Sequence, residues 1–211
     1  MKLYKYHTIN KNLIWSLSNS KNWYSKLLYL NDPFEAFFED NTNTEVYKKF
    51  KEKLCICSFS KNREEILMWS HYGDEHKGVS LEFDCSGGVD FTSSTFHIIY
   101  DNKISSIQEI EVTNTGHLSL NVDSNGKWLT QKLETWKYED EARKIVIEDD
   151  SNLKGVAKDF PGKLTAIYFG VNTSQFDIDL VKKITKDYIR LKCYKVKLGI
   201  NSGKMSDKEE L

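Results

Sequence analysis

The sequence predicts an α+β fold in one compact domain. Many short strand patterns are broken by only a few helical ones, no regular βα alternation runs through the chain, and 211 residues suit one domain with a buried core. Residues 1–198 read as the domain and 199–211 as a disordered tail.

Composition narrows the function classes. Hydrophobic residues at 39% and charged residues at 29% describe a globular chain, and 13% aromatic is high enough for Tyr and Phe to shape the core. Thirty Lys and Arg against thirty-one Asp and Glu leave a net charge of -1, so the broad positive field behind non-specific nucleic-acid binding is missing. No window has the roughly 18 consecutive apolar residues that span a bilayer, and residues 1–12 are too polar for a signal-peptide core. The reading is therefore cytoplasmic, with no membrane partner. Cys55, Cys57, Cys85 and Cys193 form neither a disulfide-dense pattern nor a CxxC metal spacing.

In chain order, Leu3–His7 reads as a strand and Asn10 as the N-cap of a helix carrying Leu13, Ile14 and Leu17. Lys26–Leu30 reads as a second strand, stopped by the turn chemistry of Asn31-Asp32-Pro33. Thr44–Lys53 reads as an exposed helix leading into the strand Leu54–Ser60. A helix from Asn62 to about His71 ends at Gly73, strands cover Gly78–Phe83 and Phe96–Tyr100, and Cys85–Thr95 is a loop. Lys103–Gly126 is polar and turn-rich, an insertion or a flexible loop. Then come a helix Lys127–Trp136, a strand through Ile147, a strand Leu164–Phe169, a helix Gln175–Arg190 and a last strand Leu191–Lys197.

Alternation along Leu54–Ser60 puts Cys55, Cys57 and Phe59 on one face and Ile56, Ser58 and Ser60 on the other. The two hydroxyls either satisfy backbone at a turn or donate to a ligand phosphate or ribose. His7 closes the first strand, as a structural residue or, if it sits beside those serines, a functional one. His71 and His76 are five apart with Gly73 between them, which argues against a helical metal site. In Trp136-Lys137-Tyr138-Glu139-Asp140-Glu141-Ala142-Arg143, Glu139, Glu141 and Arg143 share a strand face between aromatics. Such charges are either a solvated strand start or the wall of a cleft. An unbroken strand would put Ile145 and Ile147 on that same face, so a bend or bulge near Ala142 is expected.

Six blocks, Leu3-Tyr4-Lys5-Tyr6, Asn31-Asp32-Pro33-Phe34-Glu35, Cys57-Ser58-Phe59-Ser60, Met68-Trp69-Ser70-His71-Tyr72, His76-Lys77-Gly78-Val79-Ser80-Leu81-Glu82-Phe83 and Trp136-x-Tyr138-Glu139-x-Glu141-x-Arg143, resemble a bacterial family catalogued as domain of unknown function 2971. The resemblance spans roughly residues 3–145. The same blocks look like a degenerate ADP-ribosyltransferase pattern, in which a basic first-strand residue, a Ser-x-Ser strand and a Glu-x-Glu motif surround NAD. His7, Ser58-Phe59-Ser60 and Glu139-Asp140-Glu141 occur here in that order, with His7 in place of that class's arginine.

The resemblance implies a mixed β-sheet core with flanking helices, and NAD as substrate. Glu141 would stabilise the ribosyl cation while Glu139 orients or deprotonates the acceptor. His7 would hold the adenosine-side ribose or pyrophosphate, Ser58 and Ser60 would brace the pocket, and Tyr6, Tyr72 or Tyr138 would stack on nicotinamide. Arg143 would pair with the pyrophosphate or with a glutamate. It further implies a nucleic-acid or protein acceptor, a toxin or phage-defence role, and an antitoxin-like partner. The alternatives are a non-catalytic nucleotide- or partner-binding module and an NAD glycohydrolase that uses water as acceptor.

Overall fold

The structure, a computed structural model, describes residues 1–32, 34, 51–86, 95–103, 109–112, 118–121, 127–150, 152–199 and 203–211. Its strands are β1 (Lys2–His7), β2 (Lys21–Lys26), β3 (Leu54–Ser60), β4 (Val79–Asp84), β5 (Thr95–His97), β6 (Ile99–Asp101), β7 (Glu109–Val112), β8 (Leu118–Asn121), β9 (Gln131–Leu133), β10 (Glu141–Ile147), β11 (Gly155–Asp159), β12 (Lys163–Phe169), β13 (Lys192–Gly199) and β14 (Lys204–Glu210). The helices are α1 (Lys11–Asn19), α2 (Ile66–His71), the single turn α3 (Lys127–Thr130) and α4 (Gln175–Ile184).

Ten strands form one mixed sheet in the order β11-β2-β3-β1-β4-β12-β13-β14, with β10 and β5 added beside β3. The sheet plus few helices agrees with the α+β expectation. Its one parallel pair, β12 and β13, is joined through α4, because parallel neighbours need a crossover. Among the described residues no helix is long and apolar enough to cross a membrane.

The sheet forks at β3. That strand pairs along its whole length with β10, from Glu141 opposite Ser60 to Ile147 opposite Leu54. Its remaining pairing is divided between two strands. β2 takes Ile56 and Cys55, whereas β1 meets β3 only at Tyr4 opposite Ser60. Between those contacts the Ser58 carbonyl accepts a hydrogen bond from Lys5 Nζ at 2.8 Å. The lysine thus satisfies a backbone acceptor at the fork.

Strand alternation sends Leu3, Cys57, Phe59, Leu81, Phe83, Ile167 and Phe169 into one core, under Leu13 and Leu17 of α1 and Ile178 and Val181 of α4. Tyr6, Ala166, Tyr168 and Val196 form a second core with Met68, Trp69 and Met205 on the opposite face. Asn10 Oδ1 caps α1 through the amides of Asn12 and Leu13 at 2.9 and 3.2 Å, as its sequence predicts.

The connection from α2 to β4 is tight. Asp74, Glu75 and His76 all take positive φ, 52°, 50° and 68°, which costs L-residues roughly 1–2 kcal/mol each. Gly78 follows, and a Cβ there would lie 2.2 Å from the His7 carbonyl oxygen. We expect Gly78→Ala to lower stability by about 1–3 kcal/mol in urea unfolding, because the close neighbours are backbone and cannot swing aside. An unchanged midpoint would remove the steric role assigned to this glycine.

Several elements differ from expectation. Lys26–Leu30 is the end of β2 followed by a 3-10 turn, Leu27–Tyr29. The expected helix Lys127–Trp136 is one turn of α3, then β9, then a 3-10 helix Glu134–Glu139. β9 arises because Gln131–Leu133 pair in parallel with Ile99–Asp101, a tertiary contact that overrides local helix propensity. The tail read as disordered carries β14, paired antiparallel with β13 and anchored by fully buried Met205. Within the stretch read as an insertion or loop, β7 and β8 pair as an antiparallel ladder. Most of the expected helix Thr44–Lys53 lies outside the described residues.

Candidate functional site

The charged motif is built by a turn. The 3-10 helix Glu134–Glu139 ends where Asp140 adopts a left-handed conformation, φ 41°, and donates its amide to the Lys137 carbonyl at 3.2 Å. Asp140 is fixed there by the Lys61 amide on its carbonyl at 2.9 Å and the Lys61 ammonium on its carboxylate at 2.7 Å. β10 then starts at Glu141, whose amide donates to Tyr100 Oη at 2.8 Å. Glu139 and Glu141 therefore come from two elements, not one strand. The expected bulge at Ala142 is absent, since the register with β3 runs unbroken from Glu141 to Ile147. The bend falls two residues earlier, at Asp140, and Ile147 simply runs out into solvent, 69% exposed.

Both carboxylates are almost fully buried. Glu141 is chelated by Arg143, Nε to Oε1 at 2.8 Å and Nη2 to Oε2 at 3.0 Å, while Arg143 Nη1 reaches the Leu129 carbonyl at 2.9 Å. Lys132 lies between the pair, its Nζ 2.6 Å from Glu139 Oε2 and 3.0 Å from Glu141 Oε2. Tyr72 Oη donates to Glu139 Oε1 at 2.6 Å and accepts from Asn31 Nδ2 at 3.0 Å.

These environments separate the two acids. Burial alone would raise the Glu141 carboxyl, but the Arg143 guanidinium and Lys132 ammonium, with a hydrogen bond from Ser58, hold it down to about 2. For Glu139 burial wins. Its carboxyl is raised above the ordinary value despite the Lys132 charge and the Lys132 and Tyr72 hydrogen bonds. Burial, followed by the bond to Glu139, raises the Tyr72 phenol, which keeps it a donor.

Two cavities open at the fork. The smaller, about 120 Å³, is lined by Tyr6, Ser58, Ser60, Tyr72, Glu139 and Glu141 together with Tyr4, Lys5, Asn31, Phe59, Met68 and Lys132. Six of the nine expected site residues thus converge. Ser60 is already engaged there, donating to the Asn62 carbonyl and accepting from the Asn62 amide, both at 2.9 Å. Tyr6 Oη likewise donates to the Asn62 carbonyl at 3.0 Å.

The other three residues lie elsewhere. His7 lines the larger cavity, about 650 Å³, which shares Lys5 and Ser58 with the smaller one. Its Nε2 is enclosed with no hydrogen-bond partner among the described residues, and burial, followed by the Lys5 charge, holds the ring down to about 3, hence neutral. Tyr138 does not line either cavity and instead pairs with His71, Oη to Nδ1 at 3.1 Å. Arg143 is fully buried behind Glu141 and lines neither cavity.

Lys132 is the site residue that sequence reasoning missed. Inside a segment of helical composition nothing marks a lysine as buried. The only available signal was two carboxylates close together in an aromatic setting, which demand a counter-ion. Lys5, a second cavity residue without a sequence signal, is one charge in the alternating pattern of β1.

Residues 68–144 match a family model described as "Protein of unknown function (DUF2971)". That span contains most of α2, all of β4, Lys132 and the paired carboxylates. No curated protein and no solved structure matches the chain.

Proposed function

We propose that the chain is an ADP-ribosyltransferase-like enzyme, on an ADP-ribosyltransferase-like sheet, that cleaves NAD and passes its ADP-ribosyl group to a nucleic-acid or protein acceptor. The observation that carries this reading is the pair Glu139 and Glu141, held in one cavity with their acidities pushed apart. Two carboxylates with split environments are the usual equipment of glycosyl transfer, one fixed as an anion and one exchanging a proton.

In the proposed step the bond from ribose C1′ to the nicotinamide nitrogen breaks, and its electron pair leaves with nicotinamide. Ionised Glu141 faces the cationic sugar and accepts from its 2′-hydroxyl. The acceptor attacks C1′ and loses its proton to Glu139. The smaller cavity is below the roughly 300 Å³ at which ligand pockets begin, so the rest of the dinucleotide follows the fork past Lys5. A toxin or phage-defence role with an antitoxin-like inhibitor belongs to the same reading.

Purified protein given NAD and fractionated lysate is expected to release nicotinamide. Absence of both NAD binding and nicotinamide release would defeat the proposal. A second measurement concerns Glu139, which must be ionised to take the proton. Tyr72 donates to that ionised form, so Tyr72→Phe raises the Glu139 pKa further and moves the acid limb of the pH–rate profile to higher pH. A limb that stays in place would take Glu139 out of the base role.

One observation favours the alternative of a binding module. Glu141 is already engaged by Arg143, Lys132 and Ser58, a set of contacts that also suits a purely structural ion network. Calorimetry showing nucleotide binding without turnover selects that reading.

A further inference from the structure

The larger cavity differs in chemistry from the carboxylate site. Its volume, about 650 Å³, falls within the roughly 300–1,000 Å³ range of small-molecule pockets. Trp15 of α1 and Trp23 of β2 line it while remaining 46% and 52% exposed. Indoles left half in solvent on the wall of a concave site offer π-faces whose burial is favourable. Among the described residues Lys5 is the one charged residue lining it, and its ammonium donates to the Ser58 carbonyl. No carboxylate among the described residues lines it, so it is not built for a cation, and the Lys5 ammonium, which keeps two further donors beyond its bond to Ser58, is the one formal charge they supply.

What remains is neutral hydrogen-bonding capacity. His7 brings an enclosed Nε2 without a partner among the described residues, and Asn12 and Ser25 add polar edges. A planar ligand with apolar faces and donor and acceptor edges matches this set.

We infer that the cavity between α1, β1 and β2 is a nucleobase-binding site, with the ring stacked against Trp15 or Trp23 and its edge toward His7. The inference needs only this cavity and holds whichever chemistry the carboxylates perform. The base can belong to a free nucleoside or nucleotide, or to a single-stranded nucleic acid.

The test titrates the full chain with adenosine, uridine, ribose 5-phosphate and a short single-stranded oligodeoxynucleotide, read by calorimetry and tryptophan fluorescence. Nucleosides are expected to bind and quench, and ribose 5-phosphate, which has no base, is expected to do neither. Losing one stacking partner in Trp15→Ala or Trp23→Ala should weaken binding about 5- to 100-fold. Trp23→Phe, which keeps a ring, should recover most of it. Phe176→Ala removes an aromatic that is 76% exposed on α4 and should leave binding unchanged. Tighter binding of the oligodeoxynucleotide than of nucleosides identifies a strand as the source of the base, and the reverse identifies a free nucleoside. Absence of nucleoside binding at millimolar concentration, or binding indifferent to both tryptophan truncations, overturns the inference. Because nicotinamide release is read separately, failure here does not stand for failure of the NAD-cleaving reading.

Discussion

Glu141→Gln is expected to destabilise the protein by about 3–5 kcal/mol and to abolish nicotinamide release. The amide keeps the shape of the side chain but removes the charge that chelates the Arg143 guanidinium, itself 0% exposed. Loss of activity alone would then be ambiguous, since a poorly folded protein is also inactive. The double variant Glu141→Gln with Arg143→Met resolves this by removing both charges, which should restore much of the stability. Activity should stay absent. If it returns with stability, Glu141 is a structural residue and the proposed chemistry fails.

The same carboxylate gives stability a pH dependence of defined sign. Its pKa is depressed in the folded state, to about 2 from an ordinary 4.5. The stabilisation is therefore complete above the unfolded value and is lost as pH falls from about 4.5 to about 2. Glu139, with a raised pKa, contributes in the opposite sense, favouring the folded state at low pH and losing that contribution as pH rises through its folded value. Acid unfolding followed by circular dichroism should show the lower window in the wild type and a flatter response in Glu141→Gln.

Lys132→Met should be comparably costly, about 3–5 kcal/mol at neutral pH. Its ammonium is the charge that both carboxylates share, and its side chain is 5% exposed. Without it Glu141 keeps Arg143, whereas Glu139 keeps, among the described residues, the Tyr72 hydroxyl and holds its proton to higher pH. The destabilisation should therefore shrink toward acid pH, where Glu139 is protonated. Adding Glu139→Gln to Lys132→Met should recover part of the loss at neutral pH. Equal urea midpoints for Lys132→Met and wild type at pH 7 would mean that the central cation contributes little.

Legibility in the sequence followed how local each feature is. β3 was readable to the residue because its alternation and β-branched or aromatic content are local, and α4 starts at Gln175 as read but ends at Ile184, short of the expected Arg190. β9 and β14 were not readable. Each exists through pairing with a distant partner, and Lys204–Glu210 carries five charged residues in seven. The site divides in the same way. The carboxylates and Ser58 announce themselves by type and spacing, whereas Lys132 becomes a site residue only because β9 carries it under the turn at Asp140. His7 and Ser58 fall beside the same fork, but alternation along β1 and the narrow contact at Tyr4 put His7 in the adjoining cavity.

The fork at β3 has a thermodynamic consequence. The two cavities share Lys5 and Ser58, so a ligand that draws the Lys5 ammonium from the Ser58 carbonyl in one changes the wall of the other. Linkage makes such an effect reciprocal: whatever factor the first ligand imposes on the affinity of the second, the second imposes on the first. If both cavities bind as proposed, Lys5 is a shared term in the two equilibria, and its replacement should alter both affinities and the coupling between them.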